Sequence, residues 1–368
     1  MIDEEIRLTE PFLPPLSELM PMLEQIWESK WLTNGGPLHA SLEEAIADYL
    51  NVKYVSLVTN GTLGLIISLK ALGVSGEVIT TPYTFVATTH SLLWNNLTPV
   101  FVDVDPDTLN ISAAAIENAI TPNTKAIVPV HCYGNPCEMD AIETVAKKHD
   151  LAIIYDAAHA FGVQMKSGNI LDYGKASVLS FHATKSFNTF EGGAIVTHTQ
   201  EDKQLIDDAR NFGFSDEVTV NSTGINAKLN EFSCAIGLLQ LKHYDRVVME
   251  RSAVDRMYRE RIAVSGIRCF QYGESIKSPN YSYFPIFVGD DYPLSRDELY
   301  EKYRKAGIWV RRYFYPLVSD FPMYRKLPRA TKTSLPNAAA AASQVLCLPI
   351  YPGLTEPQVN KIVKVLSN

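Results

Sequence analysis

The chain is poor in cysteine, carries no excess of positive charge and has no apolar run long enough to cross a membrane. Its five cysteines (Cys132, Cys137, Cys234, Cys269 and Cys347) show neither zinc-ligand nor dithiol spacing. An odd, scattered set of this kind reads as reduced thiols in a cytoplasmic protein rather than as a disulfide framework. A formal charge of −8 over 368 residues argues against nonspecific nucleic-acid binding, because a phosphate backbone needs a basic surface. A local arginine cluster could still hold an anionic small molecule. No stretch approaches the ~20 consecutive apolar residues that a membrane helix needs. The N-terminal run Met1-Ile2-Asp3-Glu4-Glu5 is acidic, where a secretory signal would be basic and then apolar. There is no internal repeat, low-complexity tract or long linker, and no cluster with metal-ligand spacing.

What remains is an ordinary globular composition, 46% hydrophobic and 20% charged, on a chain long enough for two domains with a large core. Short apolar runs at residues 54–58, 77–81, 98–102, 126–130, 151–155, 176–180 and 194–198 alternate with helical stretches at 63–72 and 139–149. That alternation predicts an α/β fold built on a doubly wound, mostly parallel, seven-stranded sheet. Beyond Asn226 a long helix is expected to about residue 263. A strand at 281–288, a helix at 296–305, a strand at 308–313 and a helix at 356–366 then make a smaller α+β unit. The division is a large domain over 1–245 and a small C-terminal domain over 246–368.

Three places in the larger part carry chemistry. Lys185 follows the expected strand 176–180 and precedes the turn Glu191-Gly192-Gly193. A lysine held at a strand end, partly desolvated against a carbonyl carbon, has a lowered pKa and a free lone pair, which Schiff-base chemistry requires. Asp156 ends the run 151–155, one crossover and one strand before Lys185, and ligands of open parallel sheets bind beyond such carboxyl ends. Pyridoxal phosphate chemistry uses this pair, the lysine for the aldehyde and the carboxylate to keep the pyridine nitrogen protonated. Asn60-Gly61-Thr62 joins a strand to a helix, where the glycine permits close approach and the free amides attract phosphate. Ser180 adds a hydroxyl beside them. Taken singly, each has a plainer account: a solvated lysine near a turn, an aspartate capping a strand, an asparagine capping a helix.

In order along the chain, Asn60-Gly61-Thr62, Thr81-Pro82-Tyr83-Thr84-Phe85-Val86-Ala87-Thr88, Asp156-Ala157-Ala158-His159 and Phe181-His182-Ala183-Thr184-Lys185 resemble the DegT/DnrJ/EryC1/StrS family of pyridoxal-phosphate-dependent nucleotide-sugar aminotransferases. The resemblance runs from about Trp31 to the C-terminal helix and implies the aspartate aminotransferase fold, fold type I. Its implications are specific. Lys185 is the catalytic residue and joins the cofactor covalently, Asp156 pairs with the pyridine nitrogen, and His159 meets the phenolic oxygen. Gly61, Thr62 and Ser180 hold the phosphate, and Phe85 stacks on the ring unless it is plain core. Asn226 would reach the cofactor phosphate of a second subunit, making a homodimer with shared active sites. Pyridoxal 5′-phosphate would cycle through its pyridoxamine form, with L-glutamate giving 2-oxoglutarate in one half and a nucleotide-linked keto sugar aminated in the other.

Two departures bear on substrate rather than on chemistry. Ala183 replaces a common proline, and Pro316-Leu317-Val318 stands where Pro-Leu-His is common. Substrate contacts are expected from Lys30, Trp31, Arg311, Arg312, Tyr313 and Tyr315, the arginines being equally readable as surface charges. The pattern around Arg311–Leu317 resembles enzymes acting on dTDP-4-keto-6-deoxyglucose, so the expected product is dTDP-4-amino-4,6-dideoxyglucose, of use in bacterial surface-glycan synthesis. A 3-keto isomer and UDP- or GDP-linked 4-keto sugars are the alternatives. Lys185 argues against the related dehydratases, which carry histidine there. An amino-acid aminotransferase would use Arg311 or Arg312 for a carboxylate, and a non-catalytic cofactor sensor would be expected to lack the Lys–Asp pair.

Overall fold

Strands buried on both faces read as continuous apolar runs, and helices must then cover both sides of their sheet. The computed structural model has this arrangement. It describes residues 5–367; residues 1–4 of the acidic N-terminus lie outside the described residues. The strands are β1 (Tyr54–Val58), β2 (Glu77–Thr80), β3 (Thr98–Phe101), β4 (Thr124–Val128), β5 (Ala152–Asp156), β6 (Gln164–Met165), β7 (Ala176–Ser180), β8 (Gly193–Thr197), β9 (Ile267–Cys269), β10 (Ile276–Ser278), β11 (Phe284–Val288) and β12 (Val345–Leu348). Seven of them form one sheet in the order β1-β8-β7-β5-β4-β2-β3. Only β8 runs antiparallel to its neighbours. β1, β5 and β7 therefore end, and β8 begins, at one edge of the sheet.

Alternate side chains of each strand go to opposite faces. Val78, Val178 and Ile195 pack with Leu65 and Leu69 of the helix Gly61–Ala71. Ile79, Leu179 and Val196 face the other side, with Leu42 and Ile46 of the helix Pro37–Leu50. The smaller sheet, β12-β11-β9, is antiparallel, and Phe284, Ile286 and Leu346 build a separate core with Tyr258, Leu299 and Ile362. Ile6 joins that core through a bridge to Ile308. The 31-residue helix Glu231–Arg261, roughly 45 Å long at about 1.5 Å per residue, links the two. It gives Ala235 and Leu239 to the first core and Val254 and Tyr258 to the second. The boundary drawn at 245/246 falls inside this helix.

The expected strand at 308–313 is corrected: the segment makes only single bridges, Ile308 with Ile6 and Arg311 with Cys347. After that one pairing with β12 it bends away to wall a pocket, and its β-prone aromatics fill that wall instead of a sheet. The short strands β6, β9, β10 and β12 have no counterpart among the strands expected from the sequence.

Candidate active site

The pocket opens where β1, β5 and β7 end. β1 runs through Thr59 into the helix Gly61–Ala71, and the extended Asn60 caps it, its side chain accepting from Leu63 N–H at 2.8 Å. The plainer account of Asn60 as a helix cap is thus correct, and it leaves the helix start facing the pocket. Two glycines make room there. A Cβ on Gly61 would lie 3.1 Å from Ser180 Cβ. A Cβ on Gly193 would lie 2.8 Å from the Leu179 carbonyl oxygen and 2.9 Å from the Gly61 nitrogen. β8 therefore enters the sheet directly beneath the turn, and glycine is needed at 193 because the obstacles are backbone atoms.

Asp156 ends β5 and is 6% exposed. Its Oδ2 accepts from Thr88 Oγ1 at 2.7 Å and its Oδ1 from Ala158 N–H at 3.1 Å. Thr88 in turn lies 2.8 Å from the Thr84 hydroxyl, so a relay of hydroxyls orients the carboxylate. Burial raises the Asp156 pKa, against the lowering pull of Thr88, Ala158 and Lys185. A carboxylate that burial has left short of positive charge is suited to a cationic partner. His159 is also buried. The Tyr133 N–H donates to its Nδ1 at 3.2 Å, aimed there by a left-handed backbone at Tyr133 (φ +55°). Burial, then the Lys185 charge, holds the His159 pKa well below the usual value. The ring is neutral with its proton on Nε2, a donor rather than a base.

Lys185 follows the turn after β7. Its Nζ donates to the Tyr283 hydroxyl at 3.2 Å. Burial lowers its pKa from 10.5 to about 8, with Asp156 acting in the opposite direction. Phe85, just before the helix Val86–Trp94, is 59% exposed, so it is not core. Its ring walls the pocket, as a platform for a flat ring should.

All residues expected at the cofactor except Asn226 line this one cavity of about 330 Å³. A phosphorylated pyridine aldehyde finds complementary groups in it. The helix start and Ser180 could hold its phosphate, Asp156 would suit its ring nitrogen, His159 Nε2–H its phenolic oxygen, and Lys185 its aldehyde. Asn226 is exposed, bridged to Asn211, and lies outside the cavity. Lys30 and Trp31 are exposed too, Trp31 Nε1 donating to the Thr33 carbonyl; they are not brought to the pocket within one chain.

The structure separates the two arginines. Arg311 lines the cavity and has no ion-pair partner among the described residues. Arg312 is bound to Asp297 at 2.8 Å and lies over the rings of Tyr300 and Tyr315. Tyr313 joins the first cavity, while Tyr315 walls an adjoining one of about 240 Å³ that shares Phe85. His182 stays at the rim, 2.8 Å from the Thr184 hydroxyl. Sequence reasoning missed Thr88, Tyr133 and Tyr283. Thr88 closes the run Thr81-Pro82-Tyr83-Thr84-Phe85-Val86-Ala87-Thr88, and its i, i+4 spacing from Thr84 is the available signal.

The model of the DegT/DnrJ/EryC1/StrS aminotransferase family matches residues 16–367. A dTDP-4-amino-4,6-dideoxy-D-glucose transaminase from Escherichia coli is 49% identical over 370 residues, covering 100% of this chain and 99% of that protein. One of the same name from Shigella dysenteriae is 50% identical, covering 99% of each. Among solved structures, that of DesI in the presence of its TDP-sugar product superposes with a TM-score of 0.94 at 34% identity, over 99% of this chain and 93% of that one. With these residues gathered at the ends of β1, β5 and β7, the chain belongs to the DegT/DnrJ/EryC1/StrS aminotransferase family, pyridoxal-phosphate-dependent sugar aminotransferases.

Proposed function

We propose that this protein uses pyridoxal 5′-phosphate to aminate dTDP-4-keto-6-deoxyglucose to dTDP-4-amino-4,6-dideoxyglucose, with L-glutamate as donor. The observation that carries the chemistry is the placement of Lys185 and Asp156 at adjoining strand ends of one cavity whose floor is a helix start. The choice of sugar is supported by whole-length identity of 49–50% to transaminases named for that product. When bound, pyridoxal phosphate withdraws electrons from the carbon bearing the amino group, making its proton removable.

The chain's own residues do the rest. The helix start and Ser180 anchor the phosphate end. Asp156, oriented by Thr88, keeps a proton on the ring nitrogen. His159 donates to the phenolic oxygen. Lys185, with a pKa of about 8, can take a proton from one carbon and return it to another near neutral pH, first as base and then as acid. Phe85 covers one ring face and restricts water. Arg311, with no ion-pair partner among the described residues, offers a cation for the nucleotide diphosphate or the donor carboxylate. A second copy of the chain would bring Asn226 to the phosphate. The exposed apolar side chains Trp27 (74%), Leu32 (63%) and Phe212 (50%) support such a partner, because surfaces of this kind favour burial. Five free cysteines fit a cytoplasmic setting.

The test is the visible absorbance of the purified protein with pyridoxal phosphate. L-Glutamate should abolish the band of lysine-bound cofactor, and dTDP-4-keto-6-deoxyglucose should restore it. Restoration only by a 3-keto, UDP- or GDP-linked sugar would overturn the substrate. Absence of any band would overturn the reaction.

A further inference from the structure

Tyr283 enters the pocket from the smaller sheet, immediately before β11, and nothing in the reaction as described assigns it a part. Its hydroxyl accepts from Lys185 Nζ at 3.2 Å, and Nζ lies 5.7 Å from its ring centroid. That lysine is the hydroxyl's one hydrogen-bond partner among the described residues. The ring stands edge-on to His159 at 4.9 Å and to Tyr313 at 5.6 Å. Packing alone would be served equally by phenylalanine, so the hydroxyl calls for a separate reason.

The backbone that carries Tyr283 is clamped to both flanks of the pocket. Asn280, 1% exposed, donates to the carbonyls of His159 at 2.8 Å and Phe161 at 2.9 Å, and accepts from Ser282 N–H at 3.2 Å. The Ser282 hydroxyl donates to Ser186, the neighbour of Lys185, at 3.1 Å. Arg251, 1% exposed, donates to the Tyr281 carbonyl at 3.2 Å. The hydroxyl is thus fixed relative to His159 on one side and Lys185 on the other.

We propose that Tyr283 is a positioning residue for Lys185, its hydroxyl holding the amine at the reacting carbons whenever the lysine is not joined to the cofactor. A lysine side chain has four torsions and loses much freedom when ordered, so an unanchored amine would spend most of its time misplaced. A hydroxyl accepts from the ammonium and donates to the neutral amine, so the contact survives both protonation states of a proton carrier. Burial raises the Tyr283 pKa above its ordinary value. The hydroxyl keeps its proton, and Lys185 remains the base. The inference rests on the aminotransferase reading above.

The test compares Tyr283→Phe with the wild type, with Tyr272→Phe as control because that buried hydroxyl has no hydrogen-bond partner among the described residues. Circular dichroism and the melting temperature first establish that each variant is folded. In the L-glutamate half-reaction, Tyr283→Phe should slow turnover about 10- to 100-fold, the scale of a small misplacement of a reacting group, with the glutamate KM changed by less than about twofold. In the cofactor-free protein, acylation of Lys185 by acetic anhydride is followed against pH by mass spectrometry. Charge-assisted hydrogen bonds are roughly twice as strong as neutral ones. Losing the hydroxyl therefore moves the midpoint to lower pH, and the amine reacts about threefold faster at pH 7. Unchanged rate and profile, or a slowed rate with an unchanged profile, would overturn the proposal. Failure of the wild type to respond to glutamate would instead overturn the parent reading, leaving the acylation profile to decide the contact by itself.

Discussion

Replacing Lys185 with methionine should make the cofactor-free protein more stable at neutral pH while abolishing turnover. The amine sits in a pocket where burial lowers its pKa from 10.5 to about 8 in spite of the nearby Asp156 charge. Between those two values the unfolded chain binds a proton that the folded chain does not, so wild-type stability rises with pH across that window. Below about pH 8 lysine is protonated in both states and the folded protein bears the whole cost of burying the charge. At about 1.4 kcal/mol for each pH unit, the gap corresponds to roughly 3 kcal/mol. Water reaching a half-buried amine reduces this to about 2 kcal/mol. Methionine keeps the length and removes the charge. Urea unfolding of both proteins, free of cofactor and at matched concentration, should show Lys185→Met ahead by about 2 kcal/mol at pH 7, falling towards zero by about pH 10.5. Equal stability at pH 7, or an advantage that does not change with pH, would refute the argument that Lys185 is held at the expense of folding.

Asp156→Asn should fold normally but lose about 10²- to 10³-fold in kcat, the scale of removing one oriented electrostatic group, as read from initial rates with the keto sugar. Gly193→Ala places a Cβ 2.8 Å from the Leu179 oxygen and 2.9 Å from the Gly61 nitrogen. The strain should amount to about 1–3 kcal/mol, and titration with pyridoxal phosphate should show weakened binding as the phosphate turn is displaced. The arginines should part company in steady-state kinetics: Arg311→Gln raises the KM for an anionic substrate, whereas Arg312→Gln removes an exposed ion pair with Asp297 at a stability cost of about 1 kcal/mol or less.

The main sheet was legible because strands buried on both faces must be apolar throughout, and seven such runs alternating with helices leave few topologies. β6, with two residues, and β9 and β10, with three each, are too short to carry a period, so nothing local announces them. The segment at 308–313 misled because its aromatic, β-prone residues serve a pocket wall, a distinction that propensity does not make.

The order of residues along the chain determined by itself that a lysine and an aspartate would stand at strand ends beside a glycine-opened helix start. Each of those placements follows from a strand, its terminus and the residue next to it. Only the tertiary structure decided what surrounds them. Thr88 reaches Asp156 across 68 residues, Tyr133 reaches His159 across 26, and Lys185 reaches Tyr283 across 98. It also decided that Arg311 has no ion-pair partner among the described residues while its neighbour is bound to Asp297. Identical side chains one residue apart become different groups once packing gives one a carboxylate and the other a cavity, because charge and desolvation depend on distances in space that local sequence does not encode.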